Sequence, residues 1–219
     1  MITNITGRVL SRGEEIRGLS LDGVRLDDCW TEVGPADELR PLISDCVIRD
    51  LRLKSSRVHA TRLRDVTIDG LKGDASSRFF RGNEYERVTV KGRVQELVIS
   101  TQLSYDPLTE PYVDLLRHAD TTSGSRSLDI SEVVGRVSIR GYSADRIRLD
   151  PSFQLVLRRV DLDDQRWRPI VQGTTFGVII EQALDNGWQD IILSADKSSH
   201  EIGRELEVLG ELRAEGIAS

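Results

Sequence analysis

The sequence predicts a solenoid, and three observations support this prediction. The first is a branched aliphatic residue at every fifth position between residues 43 and 68. An α-helix repeats its apolar face every three to four residues and a β-strand every two, so neither explains this spacing. The residues at these positions, called the central positions below, are Ile43, Ile48, Leu53, Val58, Leu63 and Ile68.

The second observation concerns the residues two places before each central position. They are mostly small or apolar, whereas the positions between them are polar. The pattern therefore predicts two inward-facing residues in every five. These preceding residues are Pro41, Cys46, Leu51, Ser56, Thr61 and Val66.

The third observation is a repeat over a longer distance. The segment 45–51, DCVIRDL, recurs twenty residues later as 65–71, DVTIDGL. Self-similarity at a fixed period near 20 residues is typical of solenoids. Five-residue segments that end in glycine recur as well, at Gly23, Gly70 and Gly92. The five-residue spacing also occurs, less regularly, at Ile16, Leu21, Leu26, Thr31, Val90, Ile99, Ile139, Ala144, Leu149, Leu157, Leu162 and Trp167.

These residues resemble the pentapeptide-repeat family, in which a small residue stands two places before a central Leu or Phe. The resemblance is specific over 41–71 and covers about half of the chain. It implies an all-β solenoid, a right-handed quadrilateral parallel β-helix in which four pentads form one square coil. We expect residues 1–170 to form this β-helix. The chain departs from the family where Arg replaces the usual Asp or Asn before the central residue.

A long excursion interrupts the repeat at 102–127. Pro111 is suited to the first turn of a helix, which predicts a short helix over Tyr112 to His118. Long excursions from a rigid scaffold tend to carry binding residues, so we expect partner contacts here and at a pair of nearby arginines. The predicted partner-binding residues are Tyr105, Tyr112, Arg117, His118, Arg146 and Arg148.

Residues 171–219 predict an α/β cap. Thr174 or Thr175 opens a helix that ends at Asn186–Gly187, a strand follows over 188–193, and Ser198 or Ser199 opens a final helix. An open solenoid end has unpaired backbone groups and an exposed apolar interior. The segment is therefore expected to cover the final coil within the chain or to form a homodimer.

Composition and charge limit the classes of partner that the protein can be expected to bind. The chain has 219 residues, a net charge of −6 and only 5% aromatic residues, which suits a narrow apolar column. The negative charge argues against direct binding of nucleic acid. No apolar stretch reaches the ~20 residues that span a bilayer, and the first residues lack a signal-peptide pattern. The sequence therefore predicts a cytoplasmic protein without membrane contact.

Residues twenty apart should lie directly above one another on the coil. Arg49 should therefore stack on Asp69, and Lys54 on Asp74.

Candidates for chemistry are few. Cys29 and Cys46 fall at inward positions and are expected to be structural, and the three histidines stand far apart, so no metal, cofactor or catalytic site is predicted. Adjacent acids occur at Asp161, Asp163 and Asp164. A carboxylate pair across a groove would be needed for polysaccharide cleavage.

The sequence thus predicts a non-enzymatic macromolecule-binding protein that presents a rigid surface to a protein partner. The family resemblance implies one specific role, because some relatives protect topoisomerases by imitating DNA as acidic rods. A resistance or immunity protein acting on a topoisomerase or a toxin is the corresponding expectation. The alternative is a carbohydrate-acting parallel β-helix enzyme.

Overall fold

The structure is a computed structural model that describes residues 3–35, 39–103, 109–122 and 127–218. It is mostly β, and a large mixed sheet joins 15 of its strands. The strands before the excursion are β1 (Thr3–Thr6), β2 (Val9–Leu10), β3 (Glu15–Arg17), β4 (Ser20–Asp22), β5 (Val24–Asp27), β6 (Trp30–Thr31), β7 (Leu42–Lys54), β8 (Val58–His59), β9 (Arg62–Gly73), β10 (Phe79–Arg81), β11 (Glu84–Glu86) and β12 (Val88–Ser100).

A helix and a smaller α/β region complete the fold. In order they contain α1 (Thr109–Thr122), β13 (Leu128–Asp129), β14 (Val133–Arg140), a 3-10 helix (Ala144–Arg146), β15 (Ile147–Arg148), β16 (Gln154–Arg158), a 3-10 helix (Arg159–Leu162), α2 (Trp167–Val171), α3 (Thr175–Asp185), β17 (Asp190–Ser194) and α4 (Ile202–Ala214). Among the residues that the structure describes, no helix combines the length and apolarity that crossing a bilayer requires.

Parallel pairing follows the repeat seen in the sequence. Ile43 lies opposite Leu63 and Ile48 opposite Ile68, so partners in β7 and β9 are twenty residues apart. Ile68 in turn lies opposite Val90 in β12, twenty-two residues further on. Residues at equivalent central positions therefore stack on neighbouring strands, ~4.8 Å apart.

Every fifth residue in the regular stretch also turns the chain. A run of six residues spaced by five has a positive φ, in the left-handed region. Asp and Gly tolerate this region better than other residues, because a β-branched or bulky side chain would clash with the backbone. The run consists of Asp45 (53°), Asp50 (50°), Ser55 (49°), Ala60 (50°), Asp65 (54°) and Gly70 (84°).

The predicted inward positions form the core. The residues two places before the central positions are all buried, and Cys46, Ser56 and Val66 are each 1% exposed. Both cysteines are free and buried, as predicted. The adjacent pair Phe79–Phe80 is expected to fill the core with both rings, but only Phe80 does so, at 2% exposed, whereas Phe79 is half-buried on the opposite side of β10.

Of the two predicted charge stacks, the one on Arg49 is confirmed in register, whereas Lys54 has a different partner from the one predicted. Arg49 lies opposite Asp69, as predicted. The ammonium of Lys54, however, lies 3.7 Å from Asp27 of the preceding turn rather than on Asp74. The reason is that β9 ends before Asp74, whose carboxylate accepts hydrogen bonds from turn backbone N–H groups instead.

The excursion contains a longer helix than predicted, since α1 extends on both sides of the expected range. Its Tyr112 is fully buried. The Tyr112 hydroxyl donates a hydrogen bond to the carbonyl oxygen of Gly34 at 2.9 Å, and the guanidinium of Arg40 lies 5.9 Å from the ring centroid. These contacts attach the excursion to the early part of the chain.

The C-terminal region contains the predicted helix, strand and final helix as α3, β17 and α4. The last helix begins at Ile202 with Glu201 at its N-cap, later than the predicted serines. The short helix α2 was not predicted, because Trp167 had been assigned to the five-residue repeat. Trp167 is instead buried in a second core, and its indole N–H donates to the carbonyl of Leu162 at 3.2 Å.

Strand β17 joins the second core to the large sheet. It pairs antiparallel with β14 on one side and with β16 on the other, so both of its edges are occupied within the chain. The second core already includes Leu155 and Leu157. A boundary at residue 170 and dimerisation through the C-terminal segment both stay predictions.

Candidate basic binding face

Side chains of β8, β10 and β14, and of the residues just before β8 and β10, form a cluster of positive charge on one side of the sheet. Parallel pairing sets Arg81 opposite His59 and Ser100, and Ser100 opposite Arg140. We call this cluster the basic face and define it as Arg57, His59, Arg78, Phe79, Arg81 and Arg140.

Strand alternation explains why these residues point outward. Phe80 in β10 is buried in the core, so its neighbours Phe79 and Arg81 point to the opposite side of the strand. Val58 lies opposite Phe80, and the residues on either side of Val58 are Arg57 and His59. The inward register of the repeat therefore determines which residues make up the basic face.

Phe79 lies at the centre of the cluster. The guanidinium carbons of Arg78 and Arg81 lie 5.4 Å and 4.6 Å from the centroid of its ring, within the range of cation–π contacts. The Nε2 of His59 lies 3.2 Å from the carbonyl oxygen of Phe79 and donates a hydrogen bond to it. The aromatic ring and the backbone thus hold three basic side chains together.

Like charges are close enough in this cluster to affect one another. Burial, followed by the charges of Arg81 and Arg78, holds the pKa of Arg140 below the usual arginine value. Glu96 forms an ion pair with Arg78 and partly offsets the charge. Crowded arginines are unfavourable for folding, so their presence on a chain of net charge −6 marks this surface as a binding site candidate.

Among the predicted partner-binding residues, those whose side chains the structure describes do not belong to the basic face. Tyr112 is buried and therefore has no surface to offer. Arg146 is half-buried in a 3-10 helix, and Arg148 in β15 lies 3.4 Å from Asp129. Arg117 and His118 belong to α1, but their side chains lie outside the described residues, as does all of Tyr105.

The acidic residues of the enzyme alternative lie at a 3-10 turn. Asp163 and Asp164 are exposed, and Asp164 forms an ion pair with Arg166 that holds the pKa of its carboxyl below the usual range. Within the described ranges, no three His, Cys, Asp or Glu side chains converge as metal ligands would. The carbohydrate-acting alternative stays a prediction.

His59 is expected to make stability depend on pH. Burial, followed by the charge of Arg81, lowers its pKa from 6.5 to about 4. The unfolded chain therefore takes up a proton as the pH falls below 6.5, whereas the folded chain does so only near pH 4. Stability is fully present above pH 6.5 and is lost below it by up to ~1.4 kcal/mol per pH unit.

The His59→Gln variant should lose this part of the pH dependence. Urea unfolding between pH 7 and pH 5 measures it, with His200→Gln as the matched control because His200 is 92% exposed on its side chain. The wild type and the His200 variant should show the same slope. An equally steep slope in His59→Gln would contradict the assignment.

Comparison of the chain with protein-family models, with curated proteins and with solved structures gives no match.

Proposed function

We propose that the chain is a right-handed quadrilateral β-helix of the pentapeptide-repeat type and that it functions as a non-enzymatic macromolecule-binding protein. Three features support the scaffold: partners twenty residues apart in β7 and β9, left-handed residues at every fifth position between 45 and 70, and inward positions that are buried or, at Ile43, Ile48 and Val58, partly buried against the core. A preformed surface of this kind loses little conformational entropy when it binds.

The basic face is the observation that supports the function. It concentrates basic side chains around Phe79 on a chain whose net charge is −6. Arg clusters recognise carboxylates and phosphates through charge-assisted hydrogen bonds. The partner that fits is a protein with an acidic surface patch, and an acidic toxin would make the chain an immunity protein.

Two other partners fit less well. Nucleic acid would meet an overall negative chain, and the Phe79 ring is already in contact with Arg78 and Arg81, which reduces its use in stacking bases. Imitation of DNA towards a topoisomerase would require a negative surface at the contact, whereas the basic face is positive. We therefore favour an acidic protein.

Capture experiments test this function. Immobilised protein should retain a specific acidic protein from a lysate and should bind polyglutamate more tightly than duplex DNA, with both interactions weakening as salt is raised. The Arg81→Gln/Arg140→Gln variant should lose about tenfold or more in affinity for the retained protein.

Arg49→Gln/Arg52→Gln is the matched control, because it removes the same charge from exposed positions on β7. It should bind as the wild type does. If both variants lose the same affinity, the interaction depends on net charge and not on the basic face. If the immobilised protein retains DNA in preference to an acidic protein, the partner is a nucleic acid and the proposal is wrong.

A further inference from the structure

The apolar column is open at its N-terminal end. Leu63 and Ile68 are each 3% exposed, whereas Ile16 and Leu21, at equivalent central positions in the first strands, are only partly buried. The difference arises because β3 and β4 pair on one side only, with β7. Nothing within the described residues covers the interior on the other side.

A cavity of about 410 Å³ occupies this open end. Its wall is made mostly of inward-facing aliphatic side chains that belong to successive turns of the chain, and it reaches as far inside as Phe80. The volume is in the range of small-molecule sites, which are concave, mostly apolar and preformed. The aliphatic residues in its wall include Ile16, Leu21, Ile43, Ile48 and Leu63.

The charged residues that line the cavity are all basic, namely Arg8, Arg17 and Arg57. Two of them have partners outside the cavity wall: Arg8 lies 3.7 Å from Glu14 and Arg17 lies 2.9 Å from Asp45. Both side chains are more than half exposed, so a ligand at the mouth can engage them without burying a charge.

We propose that this cavity binds a small amphiphile with an anionic headgroup. Its alkyl chain enters the column between the aliphatic walls, and its carboxylate meets the arginines at the mouth. The site is separate from the function proposed above, because Arg81 and Arg140 do not line the cavity. Arg57 belongs to both surfaces and is left unchanged in both tests.

A second copy of the chain is the other occupant to consider. Two copies stacked end to end could pair their edge strands, but each would bring the same recess to the interface. The contact would leave the two cavities facing each other, with walls that gain no packing partners. An alkyl chain fills the recess, so the shape of the open end favours a ligand.

Decanoate, decanol and decylammonium share one chain length and differ in headgroup charge. Isothermal titration calorimetry, below the micelle concentrations of the two ions and the solubility limit of decanol, should give decanoate the highest affinity, about tenfold above decylammonium. Trp30 lines the cavity and is 46% exposed, so its emission should shift to shorter wavelength when the site fills. Trp30→Phe should remove that shift without abolishing the heat of binding.

Two variants locate the site. Ile16→Trp places a larger side chain into the empty mouth and should reduce decanoate affinity at least tenfold, whereas Val160→Trp, at a position 72% exposed elsewhere, should not. Arg8→Gln/Arg17→Gln should remove the preference for decanoate over decanol and leave decanol affinity within about twofold. The second variant keeps the test valid if Ile16→Trp fails to fold.

Three outcomes would overturn the proposal. The first is the absence of decanoate binding to folded wild-type protein, and the second is decanoate binding that Ile16→Trp leaves unchanged. The third is a stable dimer, measured by analytical ultracentrifugation, that Ile16→Trp dissociates and decanoate does not affect, which would assign the open end to a second copy.

Discussion

Leu53→Asp is expected to lower the free energy of unfolding by ~4 kcal/mol or more. Leu53 is 4% exposed and lies between Leu26 and Gly73 on the neighbouring strands, inside the apolar column. A carboxylate at this position would be buried without a hydrogen-bond donor or a counter-ion. Urea unfolding followed by circular dichroism measures the loss, and failure to fold at all is the extreme form of the same result.

Arg52→Asp is the matched control, because Arg52 is the preceding residue and points outward. Arg52 lies opposite Arg25 on one side and Lys72 on the other, so an aspartate there faces two positive charges. The expected change is within about 1 kcal/mol, with stabilisation the favoured direction. Equal losses in the two variants would contradict the inward and outward assignment on which the repeat depends.

The core of the fold could be predicted because its signal is local. Central residues such as Ile48 and Leu53, and preceding residues such as Cys46, face a narrow interior at a constant spacing, so the periodicity is visible in one stretch of sequence. The glycine turns were predicted for the same reason. Asp45 and Asp50 were not assigned as left-handed turn residues, because an aspartate between polar residues also fits an ordinary exposed position.

The basic face could not be predicted because it depends on register between distant strands. Arg81 and Arg140 are both aligned with Ser100, but the excursion lies between β12 and β14 and makes the offset from Ser100 to Arg140 about forty residues rather than twenty. The length of that interruption is not given by the repeat. Core filling by both Phe79 and Phe80 is the expectation from sequence, but neighbours in a strand point to opposite sides, and the burial of Phe80 fixes the outward direction of Arg81.

Tyr112 lies in the core rather than on the surface of the excursion, and the reason is physical. A long insertion on a regular scaffold is usually exposed, but Tyr112 packs into a small cluster with Ala60 and Leu103. Its ring adds apolar contact to this cluster, and its hydroxyl donates a hydrogen bond to the backbone carbonyl of Gly34. Burial of Tyr112 removes this side chain from the predicted partner contacts, whereas the other predicted contacts of the excursion stay predictions.

Asp190→Ala is expected to cost ~3 to 4 kcal/mol of unfolding free energy. Asp190 begins β17, and its carboxylate is 7% exposed. One oxygen accepts the backbone N–H of Ala144 at 2.7 Å, and the other is paired with Arg158. Removal of the carboxylate leaves a buried N–H without an acceptor and breaks a largely buried ion pair, so the C-terminal region loses a main attachment to the rest of the chain.

Asp145→Ala is the matched control for Asp190→Ala, because it removes an exposed carboxylate of the same charge from the same arginine. Asp145 is paired with the same Arg158 at 2.6 Å, but its side chain is 73% exposed. Its removal should cost less than about 1 kcal/mol, because water replaces an exposed partner at little cost. Urea unfolding of both single variants and the double variant measures how the two carboxylates share Arg158. If the two single variants lose the same stability, the attachment rests on the charge of Arg158 alone and not on the buried bond to Ala144.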